Sequence, residues 1–310
     1  MKIFIVYARE NWITDVLYHE WVENNKELHT TNIHEADTIW ILSNYIIGKI
    51  PIEILKTKRV ITTIHHITPW KITTEKGRHY AYVNEVTDIF QTNNSKNEKF
   101  MKEIGFTKPI ITVPLWNNEN IWKSIDVKRV ELGLPEDTFL VGSFQRDTEG
   151  AGIPMGIYKP KLEKGPDIFI KTIELLRYKH ENLQVVLTGR CRQYVMNELK
   201  RIGIVYHYFE MCNMKQLNEL YNAIDLYIVA SRVEGGPRAI NEAALTKTPL
   251  YSTDVGIASD ICYRDSIFDM DKPHTVLECR ADTEWNYQQA MKYSISNHME
   301  NFTKSVFMTR

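Results

Sequence analysis

Short apolar runs rich in β-branched residues alternate with amphipathic stretches along almost all of this 310-residue chain. Runs that stay apolar at successive positions, without an in–out alternation, suit strands covered on both faces, and those belong to parallel sheets joined by helices. In the first half the pattern predicts strands over 3–7, 38–42, 60–64, 88–91 and 110–113 and helices over 14–25 and 95–104. Asn94 is placed to cap the second of these helices and Gly105 to stop it. A polar connection over 116–127 leads to a second series, with strands over 139–142, 183–188, 205–209, 225–230 and 249–252. Helices are predicted between them over 166–180, 193–202, 215–223 and 238–247, the first opened by Pro166 at its first position. The expected class is α/β, with two parallel sheets in succession.

Length and composition agree with that reading. The chain is long enough for two domains, and 43% hydrophobic with 25% charged residues supplies material for two cores. A net charge of −1 provides no general attraction to nucleic acid or anionic membrane. No run approaches the ~20 apolar residues of a membrane helix, and Arg9 and Glu10 interrupt the first apolar run too early for a signal peptide. Cys191, Cys212, Cys262 and Cys279 show no metal-ligand or redox spacing and read as free thiols of a reducing compartment, so a cytoplasmic location is expected.

The stretch SRVEGGPRAINEAALTKTP, residues 231–249, carries the most chemical information. A strand ends at its start, a Gly-Gly-Pro turn follows, and a helix begins at Pro237. The amides of Arg238, Ala239 and Ile240 then stand in the first helical turn, where they lack intrahelical acceptors and favour an anion. Gly235 and Gly236 present no side chain against an approaching phosphate. Glu242 lies one turn further on, where a carboxylate accepts hydrogen bonds from the vicinal hydroxyls of a ribose. Glu234 stands in the loop on the other side, where a second polyol can be held. Two such carboxylates are also compatible with simple surface decoration, but flanking an anion site they fit a diphosphate with a sugar at each end.

The wider segment DLYIVASRVEGGPRAINEAALTKTPLYSTDVG resembles the donor-binding segment of family 4 glycosyltransferases of the GT-B fold, with Asp225, Ser231, Glu234, Gly235, Glu242, Ala243, Pro249 and Gly256 at matching positions. Lys247 and Ala230 replace the family's usual glycine and proline. The resemblance extends to KGPDIFIKTI, in which Lys164 corresponds to a phosphate-clamping lysine, and to Arg146 as its arginine partner. Residues 147–160 separate the two, more than the family's spacing, which makes Lys159 an alternative second cation. The insert reads as an exposed loop. In LTGRCRQ, Gly189 is placed near the nucleotide and Arg190 replaces a small or acidic residue; Leu217 is expected to line the base pocket, with 209–211 reading the base.

In the first half, RVITTIHHITPW ends a strand at His65 and His66, and the resemblance assigns His65 to the face of the transferred sugar. A structural histidine is the other reading there. The family's glycine-rich loop after the first strand is missing, and YARENW (7–12) takes its place. Trp12 and Trp70 are core residues or platforms for an acceptor sugar. The basic run of Lys49, Lys56, Lys58, Arg59, Lys71, Lys76 and Arg78 is a solvated face or an attractor for a phosphorylated acceptor. The Asp-x-Asp of residues 269–271 reads as a loop.

The resemblance implies a GT-B fold, two Rossmann-like domains facing across a cleft: an acceptor-side domain over 1–122, with a C-terminal helix of about 283–310 packing back on it, and a nucleotide-sugar domain over 123–282. The implied reaction moves a sugar from a nucleoside-diphosphate sugar to an acceptor saccharide or other hydroxyl compound, with retention and without metal or other cofactor. Catalytic roles fall to Glu234, His65, Lys164 and Arg146. Donor binding falls to Glu242, Gly235, Gly236, Arg238, Ala239, Ile240, Gly189, Arg190 and Leu217. A GT-B sugar-nucleotide epimerase and a non-catalytic nucleotide-sugar-binding protein remain as alternatives.

Overall fold

A computed structural model describes residues 1–10, 13–150 and 158–308. The chain divides into two units, Met1–Leu115 with His298–Arg310, and Trp116–Asn297. The sequence-based division lay at 122/123, with a return at 283. Trp116 and Trp122 are buried, and Trp122 belongs to the core of the second unit.

The first unit holds a parallel sheet of β1 (Ile3–Val6), β2 (Thr38–Ile41), β3 (Arg59–Ile64), β4 (Ile89–Thr92) and β5 (Ile110–Thr112), in that spatial order. Each strand lies beside its predecessor, so this sheet has no point at which the order reverses. The helices Ile13–Asn24 and Ser95–Glu103 form near their predicted limits, and the Asn94 side chain accepts from the Asn97 amide at 2.8 Å. The helix Thr74–Val86 was not predicted. Its buried residues are Val83 and Val86 alone, so it has no apolar stripe for a sequence reading to find.

A cluster of large rings covers part of this unit. Trp40 lies 5.8 Å from Trp21, 5.8 Å from Phe302 and 5.1 Å from Phe307 between ring centroids. The Trp21 indole N–H donates to Thr303 Oγ1 at 3.1 Å, and that hydroxyl donates to Asn25 Oδ1 at 3.1 Å. The single helix expected over about 283–310 is broken, with helices over Thr283–Met291 and Ile295–Thr303. The break arises where Tyr293 O accepts from Asn117 N at 2.8 Å and Ile295 N donates to Asn117 O at 2.9 Å. The Glu119 carboxylate then caps the second helix by accepting from the amides of Ile295 and Ser296 at 2.9 and 3.1 Å.

The second unit is a parallel sheet of β6 (Leu140–Ser143), β7 (Gln184–Thr188), β8 (Tyr206–Phe209), β9 (Leu226–Val229), β10 (Leu250–Thr253) and β11 (Ile267–Phe268). Its spatial order is β11-β10-β9-β6-β7-β8. Successive residues serve opposite faces: Leu140, Val186 and Tyr227 enter one core, and Val141, Val185 and Ile228 the other. That is why these strands read as unbroken apolar runs. The chain runs outward from β6 to β8 and then returns to place β9 on the other side of β6. Outside the carboxyl ends of β6 and β9, the order reverses, and such switch points are where open α/β sheets bind ligands.

Removing the Phe302 ring, 0% exposed, is expected to destabilise the first unit by about 3–5 kcal/mol, as for buried aromatic truncations generally. Chemical denaturation of Phe302→Ala followed by tryptophan fluorescence measures this; a loss under 1 kcal/mol would show that the C-terminal segment is dispensable to that core.

Candidate functional site

The residues after β9 and those before the helix Pro166–Leu176 meet at the switch point. Gly165 has φ +59°, and a Cβ built on it would lie 1.8 Å from Ala230 O, so only glycine permits this approach. The amides of Arg232 and Val233 donate to Glu163 O at 2.9 and 3.2 Å. Gln145, following β6, spans both loops: its Nε2 donates to Lys164 O at 3.3 Å, and its Oε1 accepts from Ser231 Oγ at 3.3 Å.

These backbone contacts bring together two of the predicted residues. The Lys164 ammonium donates to Glu234 Oε1 in an ion pair, with 20% and 7% of the two side chains exposed. Ser231 Oγ donates to the same oxygen at 3.1 Å. Glu234 is thus a half-enclosed carboxylate already holding a cation and a hydroxyl. Gln145 and Ser231 complete the arrangement; Ser231 was matched in sequence, whereas Gln145 carried no sequence signal.

The helix Arg238–Leu245 begins after Pro237, which is its cap rather than its first residue. Of the three amides expected to lack acceptors, that of Ile240 donates to Pro237 O at 3.0 Å, so the anion-binding reading narrows to Arg238 and Ala239. Gly256, at φ +55°, packs its backbone on this turn, where an added Cβ would sit 2.9 Å from Pro237 and 3.2 Å from both Glu234 O and Gly235. The Glu242 side chain is 13% exposed and lies 3.8 Å from Arg238 Nε. Its Oε2 accepts from the Tyr221 hydroxyl at 2.9 Å. Tyr221 packs edge-on or tilted against Phe144, Tyr227 and Trp122, with ring centroids 4.8, 5.0 and 5.9 Å away. Burial raises the pKa of Glu242, an effect only partly offset by Arg238 and the tyrosine hydroxyl. Leu217 and Ala239 are half-buried against the same core, beside Phe144 and Phe209.

Other predicted residues stand differently. Arg146 is exposed; its Nε donates to Thr148 O at 3.1 Å, and its guanidinium lies where a Cβ on Gly150 would be. Lys159 is exposed. The insert leaves and returns at a paired base, a bridge between Thr148 and Pro160 with Glu149 N donating to Lys159 O at 2.9 Å. Residues 151–157 of that insert, like Trp12, lie outside the described residues. Gly189 has φ +86°, its amide donates to Phe209 O at 3.3 Å and its carbonyl accepts from the Tyr208 hydroxyl at 2.9 Å, so both backbone groups are engaged. Arg190 is exposed. Asp225 is structural, holding the Leu140 amide and, at 2.7 Å, Arg129.

Arg192 escaped the sequence reading. Fully buried, it pairs with Asp147 and donates to Ser143 O at 2.5 Å, Thr188 O at 2.6 Å and Ser143 Oγ at 3.2 Å. Those bonds occupy four of the five guanidinium donors and tie the carboxyl ends of β6 and β7 to the base of the insert.

In the first unit, His65 follows β3 and its Nε2 lies 2.8 Å from Leu42 O, an acceptor only, so this nitrogen carries the proton. Trp70 is 51% exposed, which removes it from the core. The basic run is partly structural: Lys49, Lys58 and Arg59 donate to the carbonyls of Ala8, His34 and Phe307 at 2.8, 2.8 and 2.6 Å. The loop after β1 turns at Arg9, a non-glycine residue at φ +59° whose amide donates to Asp15 Oδ1 at 3.1 Å. Asp269 and Asp271 lie in a loop after β11. Among the described residues no three His, Cys, Asp or Glu side chains are grouped to hold a metal ion, and no helix is long and apolar enough to cross a membrane.

Residues 159–265 match the family model of glycosyl transferases, group 1. No curated protein sequence matches the chain. Several solved structures share its fold. HepE from Anabaena, solved in complex with UDP and glucose, superposes with a TM-score of 0.76 at 14% identity over 100% of both chains. Sucrose-phosphate synthase from Thermosynechococcus elongatus gives 0.70 at 12% identity, over 96% of this chain and 79% of that one. WaaG, a glycosyltransferase involved in lipopolysaccharide biosynthesis, gives 0.59 at 16% identity, over 98% and 85%. The fold is therefore GT-B, built of two Rossmann-like units.

The raised pKa of Glu242 has a consequence for stability. Its carboxyl binds a proton more readily folded than unfolded, so its contribution falls as pH rises from the ordinary glutamate value to the raised one. Glu242→Gln keeps an acceptor for Tyr221 and removes the charge, so the ligand-free variant should lose less stability than the wild type as pH rises above the ordinary glutamate value. Urea denaturation across that range checks this; parallel profiles would show that burial does not perturb the carboxyl.

Proposed function

We propose that this protein is a glycosyltransferase that moves a sugar from a nucleoside-diphosphate sugar to an acceptor hydroxyl, with retained anomeric configuration and without a metal ion. The observation that carries the reading is the Lys164–Glu234 pair at the β6/β9 switch point, beside the opening turn of the helix that bears Glu242. The match of residues 159–265 to group 1 glycosyl transferases covers all of these residues. HepE was captured with UDP, which makes uridine diphosphate the first nucleotide to test.

In this reading the Arg238 and Ala239 amides and Lys164 receive the diphosphate, and Glu242, held by Tyr221, receives the ribose hydroxyls. Glu234 orients hydroxyls of the donor sugar. The bond between the anomeric carbon and the β-phosphate oxygen breaks, and its electron pair stays on the phosphate. The acceptor oxygen bonds the anomeric carbon on the same face, and its proton passes to the departing phosphate. As charge grows on that phosphate, Lys164 divides its donors between it and Glu234, so it interacts more strongly with the transition state than with the bound donor. Arg146 or Lys159 supplies the second cation.

UDP in the presence of EDTA should raise the melting temperature, with ~2.7 kcal/mol of added stability at about 100 times its Kd. No shift with UDP, GDP, ADP or dTDP would overturn the reading. Glu242→Ala should weaken nucleotide binding, whereas Glu234→Ala should preserve it and depress turnover. Equal loss of binding in both would contradict the separate roles given to these carboxylates. Lys164→Ala should lower kcat by ~10²-fold, more than it raises the donor KM; near-normal turnover would move the phosphate clamp to Arg146 or Lys159.

A further inference from the structure

Arg232 lies in the loop between Ser231 and Glu234, and nothing in the donor chemistry above uses it. Its guanidinium forms a two-pronged pair with Asp167, Nη1 to Oδ1 at 2.7 Å and Nη2 to Oδ2 at 2.6 Å, and Nη1 also donates to Leu162 O at 3.0 Å. Asp167 is in the first turn of the helix Pro166–Leu176, directly after the Lys164–Gly165 turn. Burial raises the Asp167 carboxyl, but the hydrogen bonds and charge of Arg232, with the first helical amides, outweigh it and hold the pKa below the ordinary range. The same residue therefore joins the two loops twice, through its amide to Glu163 O at 2.9 Å and through its side chain to Leu162 and Asp167.

The contacts it makes enclose the two reacting side chains. Leu162, Glu163 and Asp167 bracket Lys164 in the chain, and Arg232 stands two residues before Glu234. Lys164 is a long side chain with four rotatable bonds, and Glu234 stands on a loop rather than on a helix or strand. An ion pair between such groups is easily loosened unless their backbones are fixed relative to one another. Gly165 against Ala230 O prevents the loops from approaching more closely, and the Arg232 fork prevents them from separating. Glu163, buried and 3.4 Å from Lys161, fixes the loop on its other side. A planar fork matches a carboxylate in one orientation only, which a lysine at the same position cannot reproduce.

We propose that Arg232, with Asp167, is a positioning residue that sets the separation of Lys164 from Glu234, and so acts on bond cleavage rather than on nucleotide affinity. This rests on the proposed glycosyl transfer for its effect on rate, whereas its effect on the geometry of Lys164 does not. A displacement of about 1 Å at a reacting group lowers rates by up to ~10²-fold.

The test compares Arg232→Lys, Arg232→Ala, Asp167→Asn and the exchanged pair Arg232→Asp/Asp167→Arg with the wild type. Circular dichroism selects variants that remain folded. Four quantities are read: UDP affinity by calorimetry, kcat and KM for release of UDP from UDP-sugar, and the rate of acetylation of Lys164 by a water-soluble active ester, followed by peptide mass spectrometry with exposed Lys171 as reference. The single variants should keep UDP affinity within about threefold, lose about ten- to a hundredfold in kcat, and label Lys164 several-fold faster while Lys171 is unchanged. Arg232→Lys should not rescue, and the exchanged pair should recover about tenfold in kcat over the single variants. Normal kcat and normal Lys164 labelling in Arg232→Ala would overturn the proposal, as would a loss of UDP affinity parallel to the loss of kcat. A wild type that binds none of UDP, GDP, ADP and dTDP would remove the glycosyl-transfer reading, while Lys164 labelling still decides whether Arg232 positions the pair.

Discussion

The Lys164–Gly165 turn rests on the carbonyl of Ala230 with no space for a β-carbon between them. Two loops distant in sequence, one leading into the helix Pro166–Leu176 and one leaving β9, thereby share a backbone contact. The chemistry of the second unit depends on it. Lys164 meets Glu234, Gln145 reaches both loops, and Arg232 closes on Asp167 only because the two backbones are already in register. The strand order makes this possible, since β9 returns beside β6 and leaves the carboxyl ends of both strands at one opening.

Ionisable groups are enclosed around that opening in unusual density. Arg192 and Asp147, Lys161 and Glu163, Lys164 and Glu234, and Arg238 and Glu242 are all largely shielded from solvent. Enclosed pairs contribute little net stability, because desolvation consumes most of their attraction. Their value is geometric and electrostatic. Arg192 spends four of its five donors on its own partners and holds strand ends, whereas Lys164 retains donors beyond its carboxylate.

The chain between Arg146 and Lys164 is tied down at both ends. Thr148 and Pro160 pair across its base, Asp147 and Thr148 join the first turn of the helix Gln193–Arg201, and Arg192 anchors Asp147 from beneath. The chain on either side is thus closed at its base, between Thr148 and Pro160. Arg146, whose side chain follows that base, does not share that constraint.

By itself the sequence determined the α/β class, the positions of ten of the eleven strands among the described residues, all but β11, and the grouping of Glu234, Glu242 and Lys164 as candidates. Each follows from local properties: apolar runs buried on both faces, a Gly-Gly-Pro turn before a helix, and a motif whose residues lie close together in the chain. It missed the helix Thr74–Val86, which buries too few residues to show a period, and the break at 292–294, which is made by Asn117 and Glu119 from far away in the chain. Only the tertiary structure decided that Lys164 and Glu234 pair, that the Ile240 amide is already satisfied, that three of the basic residues hold carbonyls, and that Arg192 and Arg232 organise the loops. The Ile240 amide is settled locally, by the geometry of the turn at Pro237. For the others the physical reason is that a hydrogen bond between residues distant in the chain, such as Arg192 with Ser143 or Arg232 with Asp167, leaves no periodicity in either segment and exists only once the fold has brought them together.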